Sequence, residues 1–203
     1  MGYRRWGFNL SYIGGLWFEV ANDYIATLNS YIDGHIEPWS SIDYDHEKES
    51  AFNVDLAKDL GGICLDITDI SPPKQRQVEP CDVFHHTAGN KFIHVKRSTL
   101  SSGLSHLFMQ GTNSYELLVG EQESRKKFAE LLKPHLADVQ IDTILNEIQN
   151  GQMAISFVIT THKDVSKGAL ALPLFSKISA YRTLRTLNRY RIPARISFAP
   201  DVS

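Results

Sequence analysis

The amino-acid sequence predicts an α/β fold in which a mixed central sheet is flanked by helices. Short alternating apolar segments between 63 and 97 indicate consecutive strands. A continuous apolar run at 153–161 is typical of a strand buried on both faces. Segments with helical apolar spacing surround these strands. From residue 46 onward, helix, three strands, helices and a further strand form an αβββαβ core, and a helix and a last strand follow.

The first part of the chain predicts a small extension. Residues 7–20 alternate around a Gly-Gly pair, which predicts a β-hairpin. Residues 22–36 have apolar side chains at helical spacing, and Asn22 is the expected N-cap. We therefore expect a hairpin–helix extension over 1–45 and an α/β domain over 46–203.

The elements of the larger domain follow from local patterns. An amphipathic helix at 46–60 ends at a Gly-Gly pair, and 63–70 alternates strictly, as a strand does. Residues 78–97 read as a hairpin with "TAGN" at its turn. The remaining predicted elements are helices from about 101, from 114 or 121 through 132, and at 135–149, a strand at 153–161, a helix at 173–190 and a strand at 192–198.

Composition narrows the class of protein. The formal net charge of -2 gives no global attraction to nucleic acid, so any such surface must be local. No apolar stretch approaches the roughly 20 residues that a membrane helix needs. The first 15 residues lack the apolar region of a secretory signal. The sequence predicts a cytoplasmic protein without a membrane segment, and it does not indicate an oligomeric state.

The stretch "FIHVKR" at 92–97 carries the first candidate site. Alternation along a strand places His94 and Lys96 on one face, with Ile93 and Val95 on the other. The two apolar residues are expected to face the core, so His94 and Lys96 would project from the opposite surface. Asp82 lies on the partner strand and can approach either of them across the hairpin.

This set of side chains suits metal-assisted hydrolysis. A hard divalent cation, Mg²⁺ or Mn²⁺, requires carboxylate oxygens such as those of Asp82. Lys96 would stabilise an attacking hydroxide or the developing negative charge. Glu49, which shares a helical face with Asn53, would supply a further ligand, and Glu47 is the competing candidate.

The order helix-Glu, strand, strand-Asp, strand-(D/E)xK resembles the PD-(D/E)XK nuclease superfamily. The matching pieces are Glu49, the Asp82 of "EPCD" and the Lys96 of "HVK". The resemblance implies a restriction-endonuclease-like fold, with Asp82, His94, Lys96 and Glu49 as catalytic residues and Asp82, Glu49 and His94 at the metal. His94 stands where the superfamily has a carboxylate, and imidazole is a poor ligand for Mg²⁺. Either the metal preference is altered, or Glu79 supplies the missing oxygen, or the site no longer cuts.

Two further stripes of side chains predict contact with substrate. Ser102, His106 and Gln110 fall at i, i+4 and i+8 on one predicted helix, without the Lys and Glu of an ordinary solvated face. Arg182, Arg185 and Arg189 share a face of a later helix, in a segment free of acidic residues. Such a basic stripe is typical of phosphate contact and predicts nucleic acid as a partner. A solvated helix, or one that docks on a missing N-terminal region, is the alternative.

Longer motifs resemble a sporadically distributed bacterial family of unknown function. They include "GLWFEV", "LDITDI", "EPCDVF", "FIHVKR", "SSGLSHLFMQG" and "LPLFSKISAYRTLRTL". In that family His is usual before "VK", members are usually longer, and their gene neighbourhoods imply anti-phage or mobile-element defence. The resemblance is to the C-terminal half of that family, and it implies either a stand-alone short member or a C-terminal fragment from which an N-terminal region or a partner protein is missing.

The sequence therefore predicts a metal-dependent nuclease that hydrolyses DNA or RNA. The first alternative is an inactive module that keeps the nuclease fold and binds nucleic acid or a partner protein. A second alternative is an interaction domain that depends on an absent N-terminal half, which exposed Trp6, Trp17 and Trp39 would indicate.

Overall fold

The computed structural model describes residues 4–5, 8–13, 16–97 and 100–203, with side chains from Val20 onward. The strands are β1 (Arg4–Arg5), β2 (Phe8–Ile13), β3 (Leu16–Val20), β4 (Ile63–Cys64), β5 (Val83–His85), β6 (Lys91–Arg97), β7 (Ala154–Thr161) and β8 (Ala194–Pro200). The helices are α1 (Asn22–Asp33), α2 (Glu49–Leu60), α3 (Ser101–Gly120), α4 (Gln122–Leu132), α5 (Asp138–Gln149) and α6 (Leu174–Arg189). No helix of the described chain is both long enough and apolar enough to cross a bilayer.

The strands form two sheets. β1, β2 and β3 make a three-stranded antiparallel sheet, which includes the predicted N-terminal hairpin. The turn predicted at Gly14 and Gly15 lies outside the described residues. The second sheet has five strands in the order β4-β5-β6-β7-β8. β4, β5 and β6 pair antiparallel, whereas β6, β7 and β8 pair parallel. The predicted α/β class, with a mixed sheet flanked by helices, is confirmed.

Helices cover both faces of the five-stranded sheet. On one face, Phe92 and Phe157 join a large core with the apolar sides of α3 to α6. On the other face, Ile93 and Val95 pack with Phe52 and other residues of α2. Strand β6 is consequently buried on both sides, because each face of its pleat meets a different helical layer.

Helix α3 lies very close to the sheet at Gly111. A Cβ atom at this position would lie 2.6 Å from the ring of Phe157 and 3.2 Å from the side chain of Ile155. Since the Phe157 ring is fully buried, it has no free space into which it could move. Gly111 therefore fixes how closely α3 packs on the sheet, and α3 forms one wall of the cleft described below.

Several predicted boundaries are wrong. The strand expected over 63–70 stops at Cys64, because Ile67 has a φ of 62°, which does not fit a strand. The helix expected at 46–60 begins only at Glu49. A single helix, α3, runs without a break through Ser114. Asn22 is the first residue of α1, and Ala21 occupies its N-cap position.

Candidate metal centre and adjoining cleft

Three carboxylate side chains of the segment that connects β4 to β5 converge at one place. Asp66 follows β4, and Glu79 and Asp82 precede β5. Each offers one oxygen, and these three oxygens all lie within 4.8 Å of one another. Oxygens at this separation can bind a single hard divalent cation, so we call Asp66, Glu79 and Asp82 the carboxylate cluster.

Asp82 is the most deeply held member of the carboxylate cluster. Its main-chain N–H donates to the carbonyl of Ile93 at 3.0 Å, and its Oδ2 accepts from the N–H of Val95 at 2.6 Å. Burial, together with the negative charges of Asp66 and Glu79, raises the pKa of Asp82 to about 8 despite the Val95 hydrogen bond. At neutral pH this carboxyl group therefore requires either a proton or a nearby cation.

Asn53 of α2 lies beside two of the carboxylates. Its Nδ2 is 3.2 Å from an oxygen of Asp66 and 3.5 Å from an oxygen of Asp82. The side chain is almost fully buried, and its Oδ1 has no hydrogen-bond partner among the described residues. A buried amide oxygen without a donor is costly, so Asn53 is a second polar group at this place whose bonding is incomplete.

Glu49 and Lys96 form an ion pair next to the carboxylate cluster. The Nζ of Lys96 lies 2.7 Å from Oε1 of Glu49, and the Arg97 N–H donates to Oε2 at 2.5 Å. Both charges act on Glu79, whose pKa is raised by burial and by Asp66 and is lowered by Lys96. Glu49 thus contacts Lys96, and its charge also acts on the pKa of Asp82. Their catalytic roles stay predictions.

The loop that carries Asp66 and Glu79 is anchored to α4. Asp69 accepts hydrogen bonds from Ser71, from the Val78 N–H and from Nζ of Lys127 at 3.1 Å. Burial acts to raise the pKa of Asp69, but these hydrogen bonds outweigh it and lower the pKa to about 2. Lys127 also donates to the carbonyl of Ser71 at 2.6 Å. These hydrogen bonds and the ion pair connect the loop to α4.

His94 does not lie on the surface that its alternation predicted. The side chain is 1% exposed, its ring stacks on Phe157, and Nε2 is 3.4 Å from Oγ of Ser114 on α3. Burial lowers the pKa of His94 to about 3, so the ring is neutral at physiological pH. The prediction of an exposed His94 is wrong because α3 covers the face that it was expected to share with solvent. Its role as a metal ligand stays a prediction, and the structure does not group it with the carboxylate cluster.

A cleft of about 700 Å³ adjoins the carboxylate cluster. One wall is the loop from Ile67 to Glu79, and the other is the outer face of α3. Glu79 belongs to both the cleft and the carboxylate cluster. The predicted polar residues His106 and Gln110 line this cleft, while Ser102 is exposed one turn earlier on α3 and outside its lining.

The basic stripe lies elsewhere in the fold. Arg182, Arg185 and Arg189 are exposed on α6, which packs on α3, α1 and β8. Arg185 donates to the hydroxyl of Tyr181 at 3.2 Å. The carboxylate cluster is instead associated with α2 and with β4 to β6, at the other end of the strand order. The arginine stripe and the carboxylate cluster therefore belong to different parts of the fold.

The remaining residues singled out from the sequence are Glu47 and three tryptophans. Glu47 precedes α2 with an exposed side chain, and only its carbonyl accepts a bond, from Arg97. Trp6 lies outside the described residues, and the side chain of Trp17 is not among those described. Trp39 is half-buried and donates to the carbonyl of Ile42. These positions give no support to a surface of exposed tryptophans.

Sequence reasoning did not select Asp66 as a site residue. The segment "LDITDI" was interpreted as a regular strand, in which Asp66 is one of several alternating polar residues. The available signal was the recurrence of "LD" among the motifs of the resemblance. An acidic residue that directly follows a buried strand is well placed to reach a site at the sheet edge.

Fold and site define an α/β protein with a mixed five-stranded sheet and three converging carboxylates beside an open cleft. The chain belongs to DUF6119, a family of unknown function whose model matches residues 7–200. This match agrees with the resemblance to a family of unknown function. The comparison with curated proteins gave no match, and neither did the comparison with solved structures.

Proposed function

We propose that the protein is a metal-dependent nuclease of the PD-(D/E)XK type, which hydrolyses phosphodiester bonds in DNA or RNA. The observation that carries this proposal is the convergence of Asp66, Glu79 and Asp82 next to Lys96. The order α2, β4, β5, β6, helices, β7 matches the αβββαβ core implied by the superfamily resemblance. Defence against phage or mobile elements is the biological setting that the family resemblance implies.

The donor set fits Mg²⁺ or Mn²⁺. Carboxylate oxygens are the ligands that these hard cations prefer, and the cluster provides three. A cation would also remove the mutual repulsion that disfavours ionisation of Asp82. The oxygen that His94 cannot offer would come from Asp66 or Glu79, so the histidine in "HVK" need not abolish the site.

The residues of the site would have distinct roles in this reaction. Asp66, Glu79 and Asp82 would hold the cation, which would supply an activated water at neutral pH. Lys96, held by Glu49, places positive charge where the attacking hydroxide and the phosphate oxygens develop negative charge. In this hydrolysis the hydroxide would add to phosphorus as the bond to one sugar oxygen breaks, and that oxygen would take up the proton that water had lost. The products are a phosphate monoester and a free hydroxyl group.

A specific observation favours the alternative of an inactive binding module. A pKa of about 8 allows Asp82 to remain protonated at neutral pH without any metal. The exposed arginines of α6 would then bind nucleic acid or a partner protein through charge alone. Divalent cations would have no effect on such a protein.

The test is cleavage of labelled DNA and RNA, single-stranded and duplex, with Mg²⁺ or Mn²⁺ and with EDTA. We expect cleavage only with the metal, and loss of cleavage in Asp66→Asn. Asp142→Asn, at an exposed position on α5, is the matched control and should cut normally. If no substrate is cut with either metal, or if Asp66→Asn cuts as well as the control, the proposal is wrong.

A further inference from the structure

The cleft between the loop and α3 has the dimensions of a ligand site. Its volume of about 700 Å³ falls within the roughly 300–1,000 Å³ of typical small-molecule pockets. It opens to solvent on one side and reaches Glu79 of the carboxylate cluster on the other. A molecule bound here would extend directly toward the proposed metal centre.

The lining suits a nucleobase. Gln77, Gln110 and Asn113 offer amides, which can donate and accept hydrogen bonds at the edge of a base. The exposed imidazole of His106 offers a ring on which a base can stack. Met109 is 56% exposed and adds apolar surface at the same wall.

The charge of the cleft argues against a duplex. Among the described residues of its lining, Arg76 is the one cationic side chain and Glu79 is the one carboxylate. Duplex binding by phosphate contacts requires several Lys or Arg side chains along the backbone. A single strand can instead gain affinity from stacking and from hydrogen bonds to unpaired bases, with few phosphate contacts.

Contacts connect both walls of the cleft to the rest of the fold. The loop is tied to α4 through Asp69 and Lys127, and α3 is seated against the sheet at Gly111. A pocket with rigid walls loses little conformational entropy when it binds. These contacts favour a cleft that is already formed before a ligand binds.

We propose that the cleft takes an unpaired nucleotide, so that the substrate is single-stranded DNA or RNA, or an unpaired end, and not a continuous duplex. This proposal rests on the nuclease proposed above and names its substrate class. In it, the base lies against His106 and Gln110, and Arg76 contacts a phosphate. The adjoining phosphodiester then lies toward Glu79 and the carboxylate cluster.

The test measures binding without cleavage. Labelled single-stranded oligonucleotides and a blunt duplex of the same sequence are titrated with the full chain in EDTA at pH 7, with fluorescence anisotropy as the readout. We expect the single strand to bind at least about tenfold more tightly than the duplex. His106→Ala should weaken single-strand binding about tenfold, which is the scale of one stacked base. His135→Ala, at an exposed position beyond α4, is the matched control and should bind as wild type.

A triple-Gln variant tests whether α6 binds the nucleic acid instead of the cleft; in it, Gln replaces Arg182, Arg185 and Arg189. Equal binding of duplex and single strand, or an unaffected His106→Ala variant, overturns the cleft proposal. If the triple-Gln variant loses binding and His106→Ala does not, the surface that binds nucleic acid lies on α6 and the cleft proposal is wrong. Since EDTA removes metal-dependent cleavage, failure of the nuclease proposal leaves this binding result unchanged, and the two failures are separable.

Discussion

Asp82→Asn should make the protein more stable than wild type at pH 8 in the absence of divalent metal. The folded pKa of Asp82 is about 8, whereas that of an unfolded aspartic acid is near 3.8. Unfolding between these values releases a proton, so rising pH favours the unfolded state. The stabilising contribution of the protonated carboxyl group is complete below about pH 4 and is lost as pH rises through 8. Relative to the variant, wild type should lose about 1.4 kcal/mol of unfolding free energy per pH unit across this range.

Urea unfolding at intervals from pH 5 to pH 8, followed by tryptophan fluorescence in EDTA, measures this difference. Asparagine keeps an oxygen that can accept from the Val95 N–H, so the variant removes the charge with little change in shape. His94, whose pKa is about 3 when folded and 6.5 when unfolded, raises the stability of both proteins equally as pH rises to about 6.5, so it cancels in the comparison. Asp142→Asn should follow wild type at every pH. Parallel curves for wild type and Asp82→Asn would show that the environment of Asp82 does not disfavour its charge.

Lys96→Ala should lower the rate of cleavage by about 10²- to 10³-fold, the usual effect of removing one group that stabilises charge in the transition state. The ammonium group is held 2.7 Å from Glu49 at the rim of the carboxylate cluster, and it is not itself a metal ligand. The variant should therefore retain Mn²⁺ binding while losing chemistry. Single-turnover rates with saturating metal separate these two effects.

Lys58→Ala is the matched control for the lysine variant. Lys58 also pairs with a carboxylate, Asp55, but it lies exposed near the end of α2. We expect this variant to cleave at the wild-type rate. If Lys96→Ala were as active as Lys58→Ala, the proposed role of Lys96 in catalysis would have to be abandoned.

The fold class was accessible from the sequence because its signals are local. Alternation in "FIHVKR" and the continuous apolar run at 153–161 both predicted strands that the structure contains. The prediction of a strand over 63–70 was wrong. The alternation of apolar and polar residues continues there through a turn in which Ile67 takes a left-handed conformation. Periodicity does not distinguish a strand from a turn whose residues happen to alternate.

The candidate site was accessible only in part. That Asp82 meets the strand of Lys96 follows from pairing across a hairpin, and its Oδ2 accepts from the Val95 N–H. Glu49 was selected because it shares a face of the preceding helix with Asn53. Asp66 was missed because 63–70 was interpreted as one regular strand. The chain instead turns after β4, where Leu65 donates to the Asp82 carbonyl and Asp66 reaches the carboxylate of Asp82. His94 was misplaced because β6 is a central strand with helices on both faces, which a single strand sequence does not specify.

The most direct test of the central claim is Mn²⁺ binding, measured by isothermal titration calorimetry at pH 6, 7 and 8. If Asp66, Glu79 and Asp82 hold a cation together, wild type binds Mn²⁺ saturably and more tightly as pH rises, since binding displaces the proton of Asp82. Asp66→Asn should weaken binding at least about tenfold, while Asp142→Asn should bind as wild type. Undetectable binding by wild type at pH 8, or equal binding by the two variants, would contradict the proposed metal centre.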